Sequence, residues 1–84
     1  MNWTVIWRPS AEQQLAQLWV SAADRNAVTA AANQIDAELQ HDPLSAGEAR
    51  AGPTRILIVH PLAVYFDVDV AQHEVAVWAV WRVQ

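Results

Sequence analysis

The chain has 84 residues, 54% of them hydrophobic, with no Cys and no Lys, and its five Arg stand against nine Asp and Glu for a formal net charge of -4. That length fits one domain spanning residues 1–84, and the lack of Cys excludes a disulfide framework or a thiolate metal centre. The acid excess argues against a generic nucleic-acid binder, whose affinity comes largely from neutralised phosphates, and no apolar run approaches the ~20 residues that a membrane span needs.

Trp3 to Arg8 alternates Trp3, Val5 and Trp7 with Thr4, Ile6 and Arg8, which predicts a first strand stopped by Pro9. Ser10 lies three residues before Gln13, the spacing of a capping box. Ala11, Leu15, Leu18, Trp19 and Ala22 follow at helical spacing, so a helix is expected over about Ala11 to Ala22. Asp24 is placed to cap a second helix over about Arg25 to Gln40, with an apolar stripe of Val28, Ala31 or Ala32, Ile35 and Leu39. The short connection between them implies an antiparallel hairpin. His41 to Thr54 holds both glycines and two of the four prolines, and reads as one long surface loop.

The last third carries three strand-like runs, Arg55 to His60, Leu62 to Asp69 and Glu74 to Val83, with reversals at Pro61 and at Val70 to His73. The expected fold is therefore α+β in the order β-α-α-β-β-β: an antiparallel helix hairpin packed on one face of a four-stranded, mainly antiparallel sheet. Strict alternation places Val5, Val64, Phe66, Val77 and Trp81 under the helices. It leaves Thr4, Ile6, Arg8, Ala63, Tyr65, Asp67, Trp78, Val80 and Arg82 on the other face. Aromatic, aliphatic and Arg side chains mixed in this way are enriched in interface hot spots. Trp78, Tyr65, Ile6, Val80 and Arg8 are thus candidates to bind a partner, unless the loop from His41 to Thr54 folds over them.

The chemistry is less marked. His41, His60 and His73 have no short metal-ligand spacing, and His41 and His73 read as solvated loop or turn residues. Two glycines make no phosphate-binding loop, and Ser10 and Ser21 read as helix punctuation. Asp67 and Asp69 share a strand face, where such acids commonly serve solubility.

The opening WRPSAEQQL, the loop DPLSAGEAR, and Arg-x-Leu followed by PLAVYFDVD and VAVWAV resemble the RelE/ParE toxin superfamily of bacterial type II toxin-antitoxin systems, over nearly the whole chain. The resemblance implies a small cytoplasmic toxin that needs no cofactor and is neutralised by a cognate antitoxin. RelE-like members cut mRNA on the ribosome without a metal, and ParE-like members poison DNA gyrase. It assigns Arg55 and Arg82 to the Arg positions that open the second strand and end the last, with Tyr65 or His60 as the acid or base of a ribonuclease reading. At the third-strand position where ribonuclease members tend to carry Arg stands Ala63, and the tail segment that often supplies a Tyr has no counterpart here. A non-catalytic module, or a decayed toxin that binds only its antitoxin, is the rival expectation.

Overall fold

The computed structural model describes residues 2–83. Strand β1 (Thr4–Trp7) leads into helices α1 (Pro9–Ser21) and α2 (Arg25–His41), followed by strands β2 (Glu48–Ala49), β3 (Thr54–Val59), β4 (Leu62–Asp69) and β5 (Glu74–Arg82). The sheet order is β1-β5-β4-β3-β2. β1 runs parallel to β5 and every other neighbouring pair is antiparallel. The α+β architecture and the order of its main elements are those expected, with one strand added.

The extra strand, β2, comes from the segment read as loop. Glu48 and Ala49 pair with Ile56 and Arg55, extending the sheet past β3. Gly47 makes the approach possible: its φ is 69°, and a Cβ there would collide with the Ile56 carbonyl oxygen. The loop does not fold across the second sheet face. Its first half closes on the helix side instead, where Pro43 is fully buried and Ala46 packs against the core.

Helix starts differ from the spacing argument in an informative way. Pro9 opens α1 at a position where its missing N–H costs nothing, and Arg8 is the capping residue. Ser10 therefore lies inside the first turn and caps nothing. Asp24 does sit at the N-cap of α2, but its side chain makes no capping bond. The hairpin turn is closed by Arg25, whose guanidinium donates to the carbonyl oxygens of Trp19 (3.0 Å) and Val20 (2.9 Å) at the end of α1.

The core lies between the hairpin and one sheet face. Val28, Ala31, Ile35 and Leu39 of α2 and Ala11 of α1 pack with Leu57, Leu62, Val64, Phe66, Val75, Val77 and Val80. The stripe expected for α2 is the buried one. Trp19, expected inward, is instead 43% exposed. It lies on the outer side of the hairpin, where its indole donates to Thr29 Oγ1 and the Arg25 guanidinium stacks 4.8 Å from its ring centroid.

Candidate functional site

The helix-free sheet face takes its shape from one irregularity. Tyr65 pairs with Ala79 and Phe66 pairs with Val77, which leaves Trp78 without a partner on β4. This is a β-bulge, one residue more on β5 than on the strand beside it. Because side chains alternate along a strand, one inserted residue reverses the faces of everything beyond it.

Three expected placements are overturned by this reversal. Val80 pairs with Val64 and is only 4% exposed, inside the core. Arg82 pairs with Leu62 on the helix side and reaches the hairpin turn. There its Nη1 and Nη2 donate to the two carboxylate oxygens of Asp24 at 3.0 and 2.7 Å. That bidentate bond from Arg82 holds the Asp24 carboxyl below its usual range, and the same bond raises the Arg82 pKa. Trp81 moves the other way, from its expected place under the helices to the open face.

Helix α1 braces the bulge from behind. Ser10 Oγ donates to the Trp78 carbonyl at 3.2 Å, and the Val80 N–H donates to Gln14 Oε1 at 2.9 Å. Residues 10 and 14 are one helical turn apart, so both reach the same strand segment. They satisfy backbone groups that the interrupted ladder exposes.

On the open side the bulge gathers an aromatic cluster. Trp78 stacks on Tyr65 with ring centroids 5.1 Å apart and planes 20° apart, and Trp81 leans on Tyr65 at 4.7 Å and 51°. Asp67 fixes the edge of the stack, with Oδ1 accepting from Trp78 Nε1 (3.1 Å) and Thr54 Oγ1 (2.7 Å). Ala63 pairs with Trp81 and is fully buried although no helix covers it. Ile58 and Ile6 flank the cluster, 57% and 44% exposed. Beyond Asp67 the face becomes a groove of about 410 Å³ lined by Arg8, Pro53, Asp67, Asp69, Glu74 and Ala76.

The residues expected to do chemistry, Arg55, Arg82 and Tyr65 or His60, are not brought together. Arg55 pairs with Phe66, so it lies on the helix side of the sheet. Its guanidinium donates to the carbonyl oxygens of Ala46 (3.3 Å) and Gly47 (3.2 Å), fastening the turn before β2. Tyr65 is on the opposite face, and His60 is exposed in the turn between β3 and β4. Tyr65, Trp78, Ile6 and Arg8 of the partner-binding set do share the open side. Sequence reasoning missed Trp81 as a member and Asp67 as the polar anchor. One signal was present: the pair Val77-Trp78 recurs three residues on as Val80-Trp81. A period of three cannot keep both Val on one face unless a residue is inserted.

No family model matches the chain, and no curated protein matches it. Solved structures match over nearly the full length. A chain of the toxin-antitoxin complex RelBE2 from Mycobacterium tuberculosis superposes with a TM-score of 0.81 at 18% identity, covering 98% of this chain and 99% of that one. A chain of the chromosomal ParDE system from P. aeruginosa gives 0.76 at 20% identity, covering 98% and 97%. The isolated RelE toxin of E. coli gives 0.67 at 12% identity, covering 98% and 85%. The chain therefore has the RelE/ParE toxin fold.

Proposed function

We infer that this protein is the toxin component of a toxin-antitoxin pair, neutralised by a cognate antitoxin that covers the Trp78 and Tyr65 face. The observation that carries this reading is the end-to-end superposition on a chain of the RelBE2 complex, at a TM-score of 0.81 over 98% and 99% of the two chains. The exposed aromatic face supports it from the physical side. A patch of Ile6, Ile58, Trp78, Tyr65 and Trp81 with no helix over it is the kind of surface that a partner covers.

Of the two target classes, ribosome-dependent mRNA cleavage and gyrase poisoning, the placement of the arginines favours action by binding. Metal-free phosphodiester cleavage needs positive charge held where the transition state gains negative charge, with an acid or base beside it. Arg55 and Arg82 direct their guanidinium groups to internal carbonyls and to Asp24, on the side of the sheet away from Tyr65. The same observation favours the second reading, a decayed toxin that keeps antitoxin binding and has lost its target.

Induced expression with and without the adjacent reading frame tests both. Growth inhibition relieved by that frame, with intact mRNA and altered plasmid supercoiling, is the expected result. Codon-specific mRNA cuts would restore the ribonuclease reading, and unimpaired growth with a stable complex would support the decayed toxin.

A further inference from the structure

Four of the five arginines are committed: Arg25 to the end of α1, Arg55 to the turn before β2, Arg82 to Asp24, and Arg50 to Glu48 at 3.3 Å. Arg50 and Glu48 stand on the open side at its β2 edge and neutralise each other, while Arg8 shares its groove with the carboxylates of Asp67, Asp69 and Glu74. Asp67 is the junction: it lines that groove and also accepts the Trp78 indole. The surface is thus one aromatic and aliphatic band running into a net-negative trough.

We propose that this face docks a polypeptide segment carrying Lys or Arg beside apolar side chains, and not a nucleic acid. The apolar side chains lie along Ile58, Tyr65, Trp81, Trp78 and Ile6, and the cationic ones reach Asp69 and Glu74. A phosphate backbone meets the opposite field, three carboxylates against one guanidinium, and gains none of the counterion release that drives such binding. Stacking of bases on the aromatic residues alone does not replace a basic groove that tracks the backbone. The proposal rests on the reading that this face receives the partner, and it adds the chemistry that the partner must have.

The test is a fluorescence-anisotropy titration of purified protein with three labelled probes. These are a dodecapeptide alternating Arg and Leu, its Glu and Leu counterpart, and a single-stranded RNA dodecamer of mixed sequence. The Arg-Leu peptide is expected to bind, and the other two to bind at least about tenfold more weakly. The pair Asp69→Asn with Glu74→Gln should weaken the Arg-Leu complex about tenfold, as should Trp78→Ala. The pair Glu12→Gln with Glu38→Gln, on the helices, should leave it unchanged. The polar pair keeps the test independent of folding if Trp78→Ala disturbs the sheet. RNA or the Glu-Leu peptide binding as tightly as Arg-Leu overturns the proposal. So does the absence of Arg-Leu binding, or binding that responds to the helix pair and not to the face pair. Growth in cells plays no part in this readout, so its failure and that of the toxin reading are seen separately.

Discussion

Beneath the helices the sheet presents Val64, Phe66, Val75, Val77 and Val80, none more than 4% exposed, whereas on its other side Ile6, Ile58 and Trp78 remain 36–57% exposed. The same strands build both faces, so backbone geometry does not account for the contrast. The centre of the covered face is made of aliphatic and Phe side chains that interdigitate with Val28, Ile35 and Leu39, and its polar groups, the Trp7 indole bonded to Asp36 and the guanidinium groups of Arg55 and Arg82, stand at the margins. The open face uses rings that stack on one another and carry their own donor, met locally by Asp67. One face is finished by folding. The other is ordered without being covered, which is what a docking surface requires.

The sharpest way to separate the faces is to remove one ring from each. Phe66→Ala empties a fully buried site and should cost about 3–5 kcal/mol in urea denaturation. Trp78→Ala removes a stack and one indole hydrogen bond from a partly exposed site, and about 1–3 kcal/mol is expected. Equal losses would mean that Trp78 belongs to the core and that the open face is closed to partners.

A smaller effect probes how the faces are coupled. Gln14 lies on α1, yet it holds the Val80 N–H just beyond the bulge that turns Trp78 outward. Gln14→Ala should cost about 0.5–1.5 kcal/mol, the usual net worth of one hydrogen bond. Near-ultraviolet circular dichroism, which reports ring packing, should change along with it. Lost stability with an unchanged aromatic signal would show that the bulge holds without its brace.

How much of this was legible follows from the period of each element. The α2 stripe of Val28, Ala31, Ile35 and Leu39 and the limits of β4 were readable because one residue type per face was kept throughout. β2 was not, since two residues carry no period and their pairing depends on Gly47 approaching the Ile56 carbonyl. The site was half legible. Trp78, Tyr65 and Ile6 precede the bulge or flank it, and alternation placed them correctly. Trp81, Val80 and Arg82 follow it, and each fell on the wrong face for that one reason. Ser10 read as helix punctuation and Gln14 carried no signal, because their partners are 68 and 66 residues away.

The smallest expected effect belongs to Arg82, which the bulge sends to the helix side. Its pair with Asp24 is exposed, so it should contribute little, and salt should weaken it further. Its pH dependence is nevertheless diagnostic. Bonding to Arg82 lowers the Asp24 pKa in the folded protein below its unfolded value. The contribution is therefore fully present above the ordinary carboxylate range of about pH 4 and is lost as the pH falls through the depressed folded value. Raising the pH from neutrality should leave it unchanged, because Arg82 stays protonated. The difference in urea midpoint between the natural chain and Asp24→Asn should be small and constant from neutral pH down to about pH 5, then close in acid. A constant difference through acid would mean that Asp24 is not held as a carboxylate by Arg82. The pairing of Arg82 with Leu62 would still keep it on the helix side, but its guanidinium would not be anchored to the hairpin turn.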